Sequence, residues 1–331
     1  MITFCDRERR IIMKKIPVFV LSGFLGSGKT TLLVDIIKKA RDKGLSLSVL
    51  MNEAGKTDTD GRLISELDGD LPVEKLLDGC MCCNKKSEVS GAVMKLAETN
   101  PDMMVMELTG IADPEEVADA LAEPELMEHI ELKKVISVLD GENILDYNSI
   151  FTAERAMVKT TRKQIAFADA LIVNKEDQMD ESNRKKIKRV ISKENSVAPV
   201  TFTSYCQVDL DDLLFNMEGE RKPFSLLKEE KNTDEHTHSR IQTLKIEFTK
   251  PVKSKRAAEA LFKELKPGLI RAKGYISVKR EADVHLIQHV MKKTYWEKAQ
   301  AQEESYLILI GLELDKDNIV RRWNELGVND G

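Results

Sequence analysis

The sequence predicts an α/β protein: a doubly wound, mostly parallel sheet followed by a smaller α+β domain with a ferredoxin-like order of elements. Three observations predict this. Short apolar and β-branched runs alternate with amphipathic stretches over about the first two thirds of the chain. A glycine-rich turn lies between the first such run and the first helical stretch. Beyond a polar segment the pattern changes to strand, helix, strand, strand, helix.

The elements follow in order. "IPVFVLS", "SLSVLM", "MMVMEL", "KVISVLD", "DALIVN" and "APVTFT" read as strands. They are short runs dominated by apolar and β-branched residues, the composition of strands covered on both faces. Between them, "KTTLLVDIIKKARDKG", "SEVSGAVMKLAETN", "PEEVADALAEP" and "AERAMVKTTRKQIAFA" carry the helical period. This layer is assigned to residues 14–224. "LLKEEKNTDEHTHSR" has no apolar period, and residues 225–240 are read as a linker. The second domain, 241–328, holds the strand "IQTLKIEFTK", the helix "SKRAAEALFKEL", the strands "GLIRAKGYISV" and "ESYLILIGLEL", and an Asp-capped helix "DKDNIVRRWNEL".

A length of 331 residues leaves room for two cores. The net charge of −5 argues against a general grip on nucleic acid or on an anionic membrane, so neither is expected as a partner. No run of eighteen apolar residues is present. "MKKIPVFVLSGFLGSG", from Met13, has the lysines, apolar run and small residues of a secretory signal. The same residues spell a phosphate-binding loop, so they are read as retained and the protein as cytoplasmic. Met13 is an alternative start, since residues 1–12 are charged and show no fold logic. Five cysteines in this length do not make a disulfide scaffold, which agrees with a reducing compartment. Cys206 is expected to be a packed thiol.

"GFLGSGKT" fits G-x-x-x-x-G-K-[ST] in the strand–turn–helix context that the motif needs, which makes the first layer a P-loop NTPase sheet. Gly23, Gly26, Ser27 and Gly28 would turn backbone N–H groups onto phosphate oxygens, aided by the helix N-terminus. Lys29 would reach the β- and γ-phosphates. The Thr30 hydroxyl would hold Mg²⁺, with Thr31 beside it. "NKED" follows the strand "DALIVN". Asp177 would accept from N1–H and the exocyclic amine of guanine, Asn174 would support the base edge, and the Lys175 stem would cover its face. A buried Asp177 would be left unpaired against adenine, which favours GTP. "VMELTGIADP" ends its strand in Glu107, placed to contact Mg²⁺, and Gly110 lets the loop approach the γ-phosphate.

"LDGCMCCNKK" crowds Cys80, Cys82 and Cys83 between the strand "SLSVLM" and the Glu107 strand. Three thiolates suit Zn²⁺ or another borderline-soft ion such as Co²⁺. Glu53 is the candidate fourth or neighbouring ligand, ahead of Asp58, Asp60 and a histidine. Lys85 and Lys86 would lower the thiol pKa values, which serves metal binding and redox chemistry equally. A thiol redox switch at Cys82 and Cys83, and reduced packed cysteines, stay open on the residues alone.

"GFLGSGKTT", "NEAG", "GCMCC", "ELTGIADP", "QIAFADALIVNKED" and "RAKG" occur in that order. Together they resemble the CobW-like family of metal-handling GTPases, and the resemblance covers roughly residues 16–326. It implies slow GTP hydrolysis coupled to holding Zn²⁺ or Co²⁺ and transferring it to a client protein. It also implies that Cys80, Cys82 and Cys83 are the metal ligands, that residues 23–31 bind phosphate and Mg²⁺, that Glu107 and Gly110 form the switch, and that Asn174 to Asp177 read guanine. Some residues depart from the family. Lys56 stands where relatives often carry an acidic residue, "NKKSEV" lacks the usual arginine, and the linker has only His236 and His238. "MITFCDRERRIIMKK" does not match the docking segment of the subgroup that serves methionine aminopeptidase, so no client is assigned. His129, His285 and His289 are read as surface or packing residues, the last two on one helix face. No glutamine is evident for positioning the attacking water, hence the low intrinsic rate. The second domain is the expected client-docking or homodimer surface. Two more alternatives are carried: a GTP-binding zinc sensor or reservoir without transfer, and a small-molecule kinase.

Overall fold

The computed structural model describes residues 15–53, 71–77, 86–110, 112–149, 153–215, 241–248, 250–265, 268–281, 283–290, 293–299, 305–312 and 314–328. The first layer is a seven-stranded sheet in the order β3-β2-β4-β1-β5-β6-β7. Its strands are β1 (Ile16–Ser22), β2 (Leu47–Glu53), β3 (Val73–Leu77), β4 (Met103–Glu107), β5 (Ile130–Asp140), β6 (Ala170–Asn174) and β7 (Val200–Phe202). Every pairing is parallel. Parallel strands need crossovers, and the helices supply them: α1 (Lys29–Asp42), α2 (Lys86–Glu98), α3 (Pro114–Leu121), α4 (Pro124–His129), α5 (Ile144–Tyr147), α6 (Arg155–Ala166) and α7 (Glu181–Glu194).

The period of two in β1 shows why these strands read as unbroken apolar runs. Phe19 and Leu21 pack with Leu32, Leu33 and Ile36 of α1 on one face. Val18 and Val20 pack with Val89 and Val93 of α2 and Leu126 of α4 on the other. Both faces are buried, so alternation with polar residues is lost. β1 lies at the centre, with β4 on one side and β5 on the other. The chain winds outward in both directions from there, and the carboxyl ends of β1, β4 and β5 open the crevice where such sheets bind ligands.

The second layer is a five-stranded antiparallel sheet, β11-β10-β9-β12-β8. It is built from β8 (Ile241–Glu247), β9 (Leu269–Ser277), β10 (Val284–Val290), β11 (Lys293–Lys298) and β12 (Tyr306–Leu312). Helices α8 (Lys255–Glu264) and α9 (Lys316–Val328) cover one face through Leu261, Phe262, Ile319 and Trp323. Asp315 caps α9 by accepting from the Asn318 amide at 3.0 Å. β12 is buried on both sides. Leu307 and Leu309 face the helices, while Ile308 and Ile310 join Val117, Ala118 and Leu126 in the core of the first layer. Part of the face expected to receive a client is therefore used against the P-loop layer.

Several elements depart from the sequence reading. β3 forms an edge strand where none was assigned, and α7 fills the crossover between β6 and β7. β10 and β11 form a hairpin, so His285 and His289 lie on a strand instead of a helix. Both are buried against the helical layer, His285 beside Trp296 and His289 beside Phe262. No helix among the described residues is long and apolar enough to cross a membrane.

Candidate functional site

The turn after β1 wraps residues 23–28 in front of the N-terminus of α1. Gly23 has φ 133°, and a Cβ there would lie 2.0 Å from the Val138 carbonyl oxygen of β5. Gly26 and Gly28 also have positive φ, 76° and 111°. Only glycine takes these conformations without strain. Gly28 begins α1 by accepting from the Leu32 amide at 3.0 Å, and no acidic side chain occupies the first turn. The positive end of the helix is directed at the loop, and none of its own first-turn side chains is acidic. Lys29 is 6% exposed and folds back over the loop, donating to the Gly23 and Phe24 carbonyls at 2.8 and 3.1 Å. Ser27 is fully buried within the turn, and Thr31 is exposed on the first turn of α1.

Thr30 and Glu107 are far apart in sequence but meet here, the Thr30 hydroxyl donating to Glu107 Oε1 at 3.1 Å. Parallel pairing of β1 with β4, which aligns Leu21 with Glu107, brings the two strand ends level. Glu107 is 8% exposed. A hydroxyl and a buried carboxylate beside a phosphate loop are hard oxygen donors of the kind Mg²⁺ takes, so the residues fit that ion. Gly110 follows in the same loop. A Cβ on it would come within 2.5 Å of the Leu25 backbone nitrogen, so the loop leaving β4 rests directly on the phosphate loop.

The third part is the turn after β6. Asn174 is buried and serves as a brace. Its Nδ2 donates to the Ser27 carbonyl at 2.8 Å, and its Oδ1 accepts from the Cys206 amide at 2.9 Å. Lys175 adopts φ 63° and its ammonium pairs with buried Asp140 at 2.7 Å. The hydrogen bond to Asp140 raises the Lys175 pKa above the ordinary lysine value, outweighing desolvation. Asp177 sits in a 3₁₀ turn, Glu176–Gln178. It was expected to be buried; the structure places it exposed at the mouth, with its amide donating to the Ser204 hydroxyl at 3.1 Å.

Sequence reasoning missed most of the supporting set. Asp140 anchors Lys175 and accepts from the Glu142 amide at 3.0 Å. The turn after β7 holds the Asn174–Asp177 turn, Thr203 accepting from the Glu176 amide at 3.0 Å. Cys206 is 1% exposed, donates to the Gly28 carbonyl at 3.3 Å, and burial pushes its thiol up to about 12. It is the packed thiol that was expected. Gln164, within the quoted "QIAFAD", donates to the Gly110 carbonyl at 3.1 Å. Its tail to the strand "DALIVN" was the one signal that could have drawn attention to it.

Cys80, Cys82 and Cys83 lie outside the described residues, as do Lys56, Asp58, Asp60, His236 and His238. Glu53 ends β2, and its side chain lies outside them too. β3 ends at Leu77 and α2 begins at Lys86, so the cysteines belong to the connection between these two elements. Among the described residues, no group of three or more His, Cys, Asp or Glu could hold a metal ion.

Residues 17–202, more than half of the chain, match the family profile for the CobW/HypB/UreG nucleotide-binding domain. The chain belongs to the CobW/HypB/UreG family. Residues 241–326 match the cobalamin synthesis protein cobW C-terminal domain. Among the relatives of this CobW-type chain is the zinc chaperone YjiA of Escherichia coli, 28% identical over 327 residues, covering 93% of this chain and 97% of that one. Another is the zinc-regulated GTPase metalloprotein activator 1 of Saccharomyces cerevisiae, 31% identical over 220 residues. That match takes in 61% of this chain and 51% of the yeast protein. A crystal structure of Zn(II)-bound YjiA GTPase from E. coli covers 95% of the CobW-type chain at 23% identity with a TM-score of 0.48, and 99% of its own chain is matched.

Proposed function

We propose that this protein is a GTP-hydrolysing metallochaperone. It holds Zn²⁺, or Co²⁺, through Cys80, Cys82 and Cys83, and passes the ion to a client protein under nucleotide control. The observation that carries the nucleotide half is the Asn174 brace. A single side chain ties the phosphate loop to the turn that bears Asp177, so one nucleotide can lie with its phosphates on residues 23–31 and its base at Asp177. The relatives named as zinc chaperone and zinc-regulated GTPase support zinc as the cargo.

In this reading the backbone N–H groups of residues 23–28 and the Lys29 ammonium stabilise charge on the phosphates while water displaces GDP from the γ-phosphoryl group. Thr30 and Glu107 would hold Mg²⁺, which neutralises charge between the β- and γ-oxygens when bound. Gly110 senses the γ-phosphate because its loop already lies against Leu25. β3, from which the chain runs on toward the cysteines, is paired with β2, so a shift of β2 would be passed to that strand. No side chain is assigned to orient the attacking water, and a low intrinsic rate follows. β3 runs parallel to β2, β4 and β1, so the chain leaves it toward Cys80 from the same end of the sheet as the phosphate loop leaves β1.

Asp177→Ala tests the base assignment. Hydrogen bonds to a charged acceptor are worth about 1.5–3 kcal/mol each, and the carboxylate would accept two. The preference for GDP over ADP, measured by competition against a fluorescent guanine nucleotide, is expected to fall by about a hundredfold or more. An unchanged preference would move base recognition away from this turn.

A further inference from the structure

The interface between the two layers is charged where it meets the switch. Arg271, on β9, reaches two buried carboxylates of α3. Its Nε donates to Glu115 at 3.3 Å and its Nη1 to Asp119 at 2.5 Å. Glu115 is 5% and Asp119 2% exposed. Lys273, two residues along the same strand face, pairs with Glu123 at 2.7 Å and lies 3.7 Å from Asp119. Glu115 is shared, since its other oxygen accepts from Lys163 of α6 at 2.7 Å. Lys163 also binds Asp113, the residue that caps α3 by accepting from the Glu115 amide at 3.0 Å.

Gln164 sits next to Lys163 on α6 and donates to the Gly110 carbonyl. It is fully buried, and its Oε1 has no hydrogen-bond partner among the described residues. A buried amide that leaves one polar atom unsatisfied is costly, and natural structures keep such atoms rare. Here the side chain is held for its bond to the loop. Two adjacent residues of α6 therefore grip the loop leaving β4 at both ends, Gln164 at Gly110 and Lys163 at Asp113. The Lys163–Glu115–Arg271 chain continues that grip into the second domain.

We infer that Arg271 is a positioning residue that couples docking of the C-terminal domain to the Gly110 loop, so that events at that domain and nucleotide state at the phosphate loop bias each other. The inference rests on the reading of Gly110 as the γ-phosphate sensor. The physical reason is the sharing of Glu115. Withdrawing Arg271 removes the cation that the two buried carboxylates share and leaves Glu115 to Lys163 at 2.7 Å and Asp119 to Lys273 at 3.7 Å, which is unfavourable for buried charges. Glu115 is then drawn toward Lys163 and Asp119 toward Lys273, and both pulls act on α3. Arginine suits the role because its planar fork serves two carboxylates at once, which an ammonium does less well. Linkage makes the effect reciprocal: whatever favours one position of the loop favours one docked state of the domain by the same factor.

The test uses the full chain, with Arg271→Met, Arg271→Lys and a control, Arg322→Met. Arg322 pairs with Glu264 and Glu325 on the exposed side of the same domain. Amide exchange is followed by mass spectrometry without nucleotide, and affinities are measured for GDP and a non-hydrolysable GTP analogue. Arg271→Met is expected to speed exchange in residues 108–110 and in α3 by about tenfold and to change the ratio of the two affinities by about tenfold, within the usual range of coupling. Arg271→Lys is expected to fall between, and Arg322→Met to match wild type. Local exchange that rises while the ratio stays fixed makes the pair a structural brace and overturns the coupling. Unchanged local exchange, or a rise spread evenly over the chain with an unchanged ratio, overturns it as well. Should wild type bind no guanine nucleotide, the GTPase reading fails separately, and the exchange measurement still decides whether Arg271 holds the loop.

Discussion

Lys29→Ala is expected to slow GTP hydrolysis by about 10²- to 10³-fold, the loss typical of removing one preorganised donor from a charge-stabilising site. Lys29 is the ammonium already enclosed by the loop, fixed between the Gly23 and Phe24 carbonyls. Alanine keeps the helix, since it is the best helix former, so α1 and the sheet should persist. What disappears is the positive charge aimed where negative charge grows on the β- and γ-oxygens. Phosphate release under saturating GTP measures the effect, with circular dichroism as the check on folding. A rate within a factor of a few of wild type would remove Lys29 from the mechanism and leave the loop as a binding element only.

Gly110→Ala is expected to cost about 10²-fold in hydrolysis while GDP affinity stays within a few fold. The added methyl would meet the Leu25 nitrogen at 2.5 Å and the carbonyl carbon of Phe24 at 3.1 Å. Both are backbone atoms of the phosphate loop, which cannot rotate aside. The loop leaving β4 has to back away from the phosphates instead. Misplacement by about 1 Å is enough to cost about a hundredfold in a positioned reaction. GDP is spared because its contacts are assigned to residues 23–31 and to the Asn174–Asp177 turn. Parallel kcat and GDP-affinity measurements separate the two effects. An equal loss in both would mean that the substitution distorts the phosphate loop itself and that Gly110 is no specific sensor of the γ-phosphate.

The sequence made some parts of this molecule legible and hid others for physical reasons. The central strands were readable because burial on both faces leaves uninterrupted apolar runs, as in "IPVFVLS" and "MMVMEL". β3 was missed because an edge strand tolerates the charged residues Glu74 and Lys75. β10 and β11 were missed because "VHLIQHV" and "KTYWEK" place His and Lys among their apolar positions, and only pairing shows which residues face the helices. α7 buries just Ile187 and Ile191 among charged neighbours, too thin a stripe to stand out. The phosphate loop was readable because its glycines and lysine act within a few residues of one another. Asn174, Asp140, Gln164 and Arg271 act on residues far away in the chain: Asn174 and Ser27 are 147 positions apart, and Arg271 and Glu115 are 156 apart. Their roles come from tertiary contact, which spacing along a chain does not encode.

The claim at the centre of the account is that nucleotide state controls metal affinity. The direct measurement is the affinity for Zn²⁺ and for Co²⁺, with Co²⁺ also reporting thiolate ligation by its charge-transfer absorption. It is made with a non-hydrolysable GTP analogue plus Mg²⁺, with GDP plus Mg²⁺ and without nucleotide, on wild type and on Cys82→Ser. The account predicts thiolate-type absorption, an affinity that differs between the GTP-analogue and GDP states by about 5- to 150-fold, as coupled sites usually show, and loss of tight binding in Cys82→Ser. Tight binding that is indifferent to nucleotide would contradict it and make the cysteines a static site.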